Sequence, residues 1–383
     1  MSCNSPGMQV FIELTRFCNF ACDFCPQPSI ARPSGVMPLS ELRRVLEALR
    51  AVPWIEYVMF SNLGEPLLYP EFAEACRMVK SFGHTLYVTT HGERLEDKHK
   101  NTLPVDCWFI SYRSTSEQAF AHRGARASYE DYTRRIASFV ESNTQPVTIY
   151  LMGNSEWYNL EAGFADALDL ADRRKLEETV NAVGRRFCPE FGGVERGATL
   201  VGVHVPLRPN VSLYTSRTCN WANRVLPAGY TVVPGLPHPC PYGYYQRQIV
   251  VYWNGDVSPC CLDYDGELKL GNLFADPLPA LLARRKCVQS HPFCQDCMGT
   301  VVRKSIPGLK HVCYYCAEPL QTAETKQLEG FIGWMEPPKY KAELVQLKPL
   351  ELADCKPLER IDAFLDDMTP QAHRLVESWK TEG

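Results

Sequence analysis

A chain of 383 residues with 45% hydrophobic and 22% charged side chains has the composition of an ordinary globular protein, long enough for one large domain plus a smaller one. Its formal net charge of −4 gives no support for a nucleic-acid partner. No apolar run approaches the roughly eighteen residues of a membrane span, and the first seven residues lack the basic and apolar regions of an export signal.

In chain order, residues 10–14 read as a strand, followed at once by Cys18-x3-Cys22-x2-Cys25. Residues 39–50 read as a helix with Leu42, Val45, Leu46 and Leu49 on one face. A buried strand at 57–60, a helix at 69–82 ended by Gly83, and strands at 85–89 and 108–110 follow. A helix at 129–140, a strand at 147–151, further helical sequence to Arg186 and a last strand at 199–203 complete the series. Strand–helix alternation of this kind predicts a parallel sheet with helices outside, and six strands are too few for a closed eight-stranded barrel. From 207 to 239, prolines 209, 227, 234, 237 and 239 break any long element, so this stretch reads as a linker. Residues 240–316 are rich in cysteine and loops, and 317–383 read as a tail with helices near 358–365 and 372–379. The expected organisation is therefore 1–206, 207–239, 240–316 and 317–383.

The 17 cysteines are clustered and odd in number. Without an export signal this points to metal binding in a reducing cytoplasm rather than to disulfides. Three thiolates within eight residues, leaving a strand end, can wrap a metal centre with three ligands. A structural zinc site closes with four ligands, and iron–sulfur clusters normally take four cysteines. Three close thiolates with no nearby fourth therefore suggest a cluster that keeps one iron for another ligand.

With aromatic Phe24 before its last cysteine, the Cys18-x3-Cys22-x2-Cys25 loop resembles the signature of the radical S-adenosylmethionine (SAM) superfamily. The resemblance implies a partial (β/α)6 TIM-like barrel of α/β class. It implies a [4Fe–4S] cluster on Cys18, Cys22 and Cys25, with SAM on the fourth iron. It also implies reductive cleavage of SAM to a 5′-deoxyadenosyl radical, fed by a flavodoxin- or ferredoxin-type electron donor. Gly64-Glu65-Pro66, after the second strand, is similar to the motif that receives the SAM amino group. Ser111 and Arg123 stand where related enzymes contact the ribose and carboxylate of SAM. His91 departs from the usual asparagine of the Thr-Asn-Gly motif, weighed equally between a turn residue and a cofactor or substrate contact. Arg113 stands near a position that is commonly aspartate.

The second cluster of cysteines begins Cys240-x14-Gly255-x4-Cys260-Cys261, with Gly271-Asn272 soon after. Trp253-Asn254-Gly255-Asp256 fits a hairpin turn. The pattern resembles the SPASM and twitch extensions of radical SAM enzymes. Carried over, it implies at least one auxiliary [4Fe–4S] cluster on Cys240, Cys260, Cys294 and Cys297. Arg303 stands where the full pattern expects a further cysteine. Cys313 and Cys316 are further metal-ligand candidates, and Cys261 or Cys287 is a candidate ligand or hydrogen-atom donor. A competing reading is that Cys294, Cys297, Cys313 and Cys316 have zinc-ribbon spacing. Cys3, Cys76, Cys107, Cys188, Cys219 and Cys355 read as small hydrophobes, and Trp221 and Tyr242-Gly243-Tyr244-Tyr245 as packing.

The resemblance implies hydrogen abstraction from a small metabolite, such as a sugar or aminocyclitol, with an auxiliary cluster assisting oxidation. Only seventeen residues precede Cys18, and this favours a small metabolite over a ribosomal peptide substrate. The alternatives are a peptide maturase that makes crosslinks, thioethers or epimers, and a non-enzymatic metal-braced binding module.

Overall fold

The computed structural model describes residues 7–95, 102–154, 168–170, 172–217, 221–226, 230–233, 240, 247–285, 291–297 and 300–303. By compactness the chain falls into two units, residues 1–221 with 244–288, and residues 222–243 with 289–383.

The first unit is one mixed sheet with helices along it. In chain order its strands are β1 (Met8–Ile12), β2 (Ile55–Phe60), β3 (Leu86–Thr90), β4 (Cys107–Ser111), β5 (Val147–Asn154), β6 (Leu168–Asp169), β7 (His204–Arg208) and β8 (Val211–Arg217). In the second unit lies β9 (Tyr230–Val233), and the first unit resumes with β10 (Gln248–Val251), β11 (Asp256–Ser258) and β12 (Gly271–Asn272). The spatial order is β12-β11-β10-β1-β2-β3-β4-β5-β8-β7, with β6 beside β5, and the sheet does not close. From β10 through β8 every neighbouring pair is parallel. This is an open, partial α/β barrel.

The helices are α1 (Leu39–Leu49), α2 (Phe72–Ser81), α3 (Glu117–Ala121), α4 (Tyr129–Ser142), α5 (Arg173–Phe187) and α6 (Leu278–Ala283). Their apolar stripes face the sheet: Leu42, Val45, Leu46 and Leu49 on α1, and Tyr132, Ile136, Phe139 and Val140 on α4. Ser128 caps α4 by accepting the Asp131 amide at 3.1 Å, and Asp172 caps α5 by accepting that of Lys175 at 2.9 Å. Gly83, at φ +82°, ends the α2 segment. Alternation sorts the strands into two faces. Val58, Val88, Trp108, Ile110 and Ile149 are fully buried, and the Trp108 ring packs on Phe72 of α2 and Phe139 of α4. Each such side chain contributes about 1.5–3 kcal/mol. The opposite, concave face carries half-buried polar and aromatic side chains.

One sequence expectation is corrected. Residues 199–203 do not form a strand. Gly197 and Gly202 take φ of +86° and +76°, and only Val201 bridges to Thr215. The sixth barrel strand is β8 instead, inside the stretch read as linker, where Pro209 precedes a run that alternates Val211, Leu213 and Thr215 inward. The Cys-rich segment is in part continuous with this sheet. Its hairpin joins the first sheet, because β10 runs parallel to β1 with Val10 opposite Ile249. The hairpin turn at Trp253–Asp256 forms as expected, with Gly255 at φ +83° and the Tyr252 amide on Asp256 O at 2.9 Å.

In the second unit β9 pairs antiparallel with β13 (Thr300–Arg303), and α7 (Pro292–Cys297) carries Cys294 and Cys297 one turn apart. Among the described residues no helix is long and apolar enough to cross a membrane. Cys287, Cys313 and Cys316 lie outside the described residues, as do Cys3, Cys219 and Cys355, Tyr242, Tyr244 and Tyr245, and the tail at 317–383.

Candidate active site

The loop after β1 is tied down on both sides by backbone bonds. The Arg16 amide donates to Gly35 O at 3.0 Å, and the Glu65 amide to Phe17 O at 2.8 Å. Further along, the Ala21 amide donates to Arg123 O at 2.9 Å, and the Asp23 amide to His122 O at 3.1 Å. Glycines make these approaches feasible. A Cβ on Gly64, at φ +80°, would collide with Thr15 O, and one on Gly124, at φ +55°, would lie 2.9 Å from Ala21 O. The Gly64 of the Gly-Glu-Pro motif is therefore required by packing against the root of the cysteine loop.

N–H groups stand close to the three thiols in this loop. The Phe20 amide points at Cys18 Sγ from 3.4 Å. The Gln27 amide lies beside the Cys25 thiol, and the Arg123 guanidinium beside Cys22. None of the three is in a disulfide. Burial pushes the Cys18 thiol up to about 12 and the Cys25 thiol to about 11, so both are protonated at neutral pH until a metal centre displaces the protons. Among the described residues no three His, Cys, Asp or Glu side chains converge closely enough for a single metal ion. A thiol-only donor set with N–H groups close to its sulfurs suits the separate corner irons of an iron–sulfur cluster, whose potential hydrogen bonds to sulfur help to set.

Behind the loop lies a bonded wedge that the sequence only partly announces. Glu65 is buried, and its carboxylate accepts from the Leu67 amide at 3.1 Å, the Thr90 hydroxyl at 2.7 Å and the His91 amide at 2.9 Å. His91, 6% exposed, stacks on Phe20 at 3.9 Å between ring centroids. Its Nδ1 accepts the Glu93 amide at 3.1 Å, so Nε2 carries the proton, 2.9 Å from Asn19 Oδ1 and 3.2 Å from Glu65 Oε2. Burial, then Arg123 and Arg94, hold the His91 pKa well below its usual value, so this contact joins a neutral ring to the carboxylate. His91 thus braces the cysteine loop.

Arg123, 3% exposed, donates through Nη1 to Ser111 O at 2.6 Å, Tyr112 O at 2.8 Å and the Tyr132 hydroxyl at 3.0 Å. Burial opposes its charge, but Tyr132 and Cys22 hold the pKa above the usual value. Ser111 ends β4, and its hydroxyl has no partner among the described residues. Arg113, at φ +48°, lies over the Phe24 ring at 3.5 Å. Trp221 packs edge-on against Tyr264 and donates Nε1 to Phe24 O at 3.2 Å.

On the hairpin side, Glu13 accepts both arms of Arg32, at 2.7 and 2.5 Å. Beyond it, Cys260 Sγ receives the Leu262 amide at 3.4 Å, the same i+2 arrangement as Cys18. Its turn is built on the buried Asp263 carboxylate, which accepts from the Ser258 hydroxyl at 2.7 Å and the Gly266, Glu267 and Leu268 amides at 2.9–3.0 Å. Cys261 is half-buried. In the second unit Asn223 Nδ2 donates to Asp296 O at 2.8 Å and Cys297 O at 3.4 Å, and Arg224 pairs with Asp296 at 3.3 Å. Cys240 is half-buried. Cys76 and Cys188 are buried as small hydrophobes, and Cys107 is half-buried.

Sequence reading missed Asn19, Phe20, Tyr132, Gly124 and Asp263. Asn19 and Phe20 sit beside Cys18 and Tyr132 is an inner position of α4; apart from Asp263, whose donors lie within five residues, their partners are distant in the chain.

The family model of the radical SAM superfamily matches residues 12–156, and that of the SPASM iron–sulfur cluster-binding domain matches residues 240–317. The chain is a radical SAM enzyme with a C-terminal SPASM domain. A [4Fe–4S] cluster, SAM and auxiliary iron–sulfur clusters go with those two domains. A Pyrococcus furiosus protein described as a tungsten-containing aldehyde ferredoxin oxidoreductase cofactor-modifying protein is 29% identical over 105 residues, 27% of this chain and 30% of its own length. The match thus spans less than a third of that relative. BtrN in complex with AdoMet and 2-DOIA is similar in structure at TM-score 0.44 and 14% identity, over 76% of this chain and 88% of its own. Streptococcus suis SuiB bound to S-adenosylmethionine gives 0.46 and 14%, over 76% and 72%. At that level the likeness carries no part of the chemistry below.

Proposed function

We propose that this radical SAM enzyme oxidises a small polar metabolite, of the kind of a sugar or aminocyclitol, held against the concave face of the sheet. When bound, the cluster and SAM supply a 5′-deoxyadenosyl radical that takes a substrate hydrogen, and an auxiliary cluster supplies an acceptor for the electron left behind. The chain's own residues do the rest. Cys18, Cys22 and Cys25 would hold the first cluster in a loop already tied to Gly64, Glu65 and Arg123. The hydroxyl of Ser111 is available to a ribose. Glu65 and Arg123 are engaged within the protein, so they shape the pocket more than they reach into it. Cys240, Cys260, Cys294 and Cys297 are the proposed auxiliary ligands on sequence spacing.

The small-substrate reading is carried by a diagonal of half-buried rings across the concave face. Tyr57, Tyr87, Phe109, Tyr150 and Tyr214 follow one another at centroid distances of 4.5, 5.6, 5.6 and 5.1 Å. The four tyrosine hydroxyls have no partner among the described residues. Burial raises the pKa of Tyr57, Tyr87 and Tyr150, so these phenols stay neutral donors. Aromatic faces with spare hydroxyls suit a polyhydroxylated ring.

The test is to incubate anaerobically reconstituted, dithionite-reduced enzyme and SAM with deuterated sugars, with aminocyclitols and with peptides. Deuterium transfer into 5′-deoxyadenosine from a sugar or aminocyclitol is expected. Transfer only from a peptide would replace this reading with the peptide-maturase one. No 5′-deoxyadenosine at all would sink both.

A further inference from the structure

The buried charged residues of the first unit are almost all accounted for. Glu13 is held by Arg32, Glu65 by Thr90 and His91, Asp263 by Ser258 and three amides, and Arg123 by two carbonyls and Tyr132. Arg16 is the exception among them. It is 9% exposed, its Nε is buried without an acceptor, and among the described residues no hydrogen bond or ion pair forms from its guanidinium. The backbone on which it stands is fixed, with N–H on Gly35 O at 3.0 Å and C=O accepting Gln27 Nε2 at 2.5 Å.

The charges around it are Arg32, Glu13 and Asp265. Neither carboxylate bonds Arg16. Glu13 is taken by both arms of Arg32, and Asp265 Oδ1 accepts the Arg32 amide at 2.8 Å. The Nε of this guanidinium has lost water without gaining an acceptor, which is costly unless something else supplies one. Two buried amide oxygens in the same neighbourhood are also unmet. Gln27 Oε1 and Asn62 Oδ1 lack donors, and their own NH2 groups bond Arg16 O and Glu13 Oε2 at 2.5 and 3.4 Å. Arg16 stands two residues before Cys18, at the root of the loop that holds the first cluster. An oxyanion would give Arg16 Nε the acceptor it lacks, while the two amide oxygens can take only N–H or O–H donors. Arg suits it because its planar fork matches a carboxylate or phosphate.

We infer that Arg16 receives an oxyanion of the substrate, a carboxylate or a phosphate, so that the metabolite is an acidic or phosphorylated one. This rests on the small-metabolite reading above and narrows it.

The test reads thermal unfolding of full-length, cluster-loaded, SAM-saturated protein at fixed ionic strength. Inorganic phosphate and acetate are titrated separately against a chloride control, in the wild type, Arg16→Met and Arg16→Lys. A saturable rise in Tm with one of the two anions is expected in the wild type, weakened in Arg16→Lys and lost in Arg16→Met. A response to phosphate alone assigns a phosphate, and a response to acetate alone a carboxylate. In chloride, Arg16→Met is expected to unfold no earlier than the wild type, since it removes an unpaired buried charge. The proposal is overturned if neither anion exceeds chloride, or if Arg16→Met unfolds earlier and responds to anions like the wild type. It is also overturned if the anion effect occurs only without SAM, because the SAM carboxylate would then be the occupant. None of these readings depends on turnover, so failure of the oxidation chemistry would show separately in the deuterium assay.

Discussion

In the loop after β1 the Phe20 amide points at Cys18 Sγ from 3.4 Å, and in the turn after β11 the Leu262 amide points at Cys260 Sγ from the same distance. The two thiols have one local geometry and two kinds of support. The Cys260 turn folds on itself, around an Asp263 carboxylate whose donors all lie within five residues. The first loop has no such internal post. It is held by Gly64 and Glu65 from the end of β2, His91 from the end of β3, and Arg123 and Gly124 from beyond β4. Assembly of the first site is thus a property of the whole barrel rim, whereas that of the Cys260 turn is local.

The largest expected effect tests the local side. Asp263→Ala would take the acceptor from four donors, those of Ser258 and Leu268 buried, and cost about 3–5 kcal/mol, read by denaturant unfolding. Its damage should fall on auxiliary iron, with SAM cleavage kept by the fraction that stays folded; equal loss at both sites would break the contrast. Next comes the rim. Gly64→Ala combines a left-handed backbone with a collision against Thr15 O, costing about 2–3 kcal/mol, and is expected to lower iron at Cys18, Cys22 and Cys25 selectively. A smaller effect comes from pH. His91 stays neutral in the folded protein, while the unfolded chain binds a proton below about pH 6.5. The stability it contributes is present above that pH and lost as pH falls, with a slope up to about 1.4 kcal/mol per pH unit. Unfolding of His91→Asn between pH 7 and 5 should be flatter than the wild type; an equal slope would remove His91 from the rim. The smallest effect is a control. Gly83→Ala shares the left-handed φ but meets nothing within 4 Å, so a loss of about 1 kcal/mol with full iron content is expected.

The same contrast explains what was legible in the sequence. Cys18, Cys22, Cys25 and the Gly64-Glu65-Pro66 turn are local patterns, and helices such as α1 and α4 announce themselves by apolar spacing. β8 was hidden because Pro209 made its surroundings look like linker, although Val211, Leu213 and Thr215 alternate. The pairing of β10 with β1 joins residues more than two hundred apart and leaves no local trace. The same is true of Arg123 on Ser111 O and of the His91 ring on Phe20. Glu65 stood out in the sequence as a carboxylate at a turn, yet only the fold shows Thr90 and His91 bonded to it.

The account stands most directly on one variant, with Cys18, Cys22 and Cys25 all changed to Ala, reconstituted anaerobically beside the wild type. Iron per chain and 5′-deoxyadenosine formed under dithionite are measured together. The variant is expected to form no 5′-deoxyadenosine while retaining its auxiliary iron. Continued SAM cleavage, or loss of all iron from a folded variant, would contradict the assignment of this loop as a separate SAM-cleaving site.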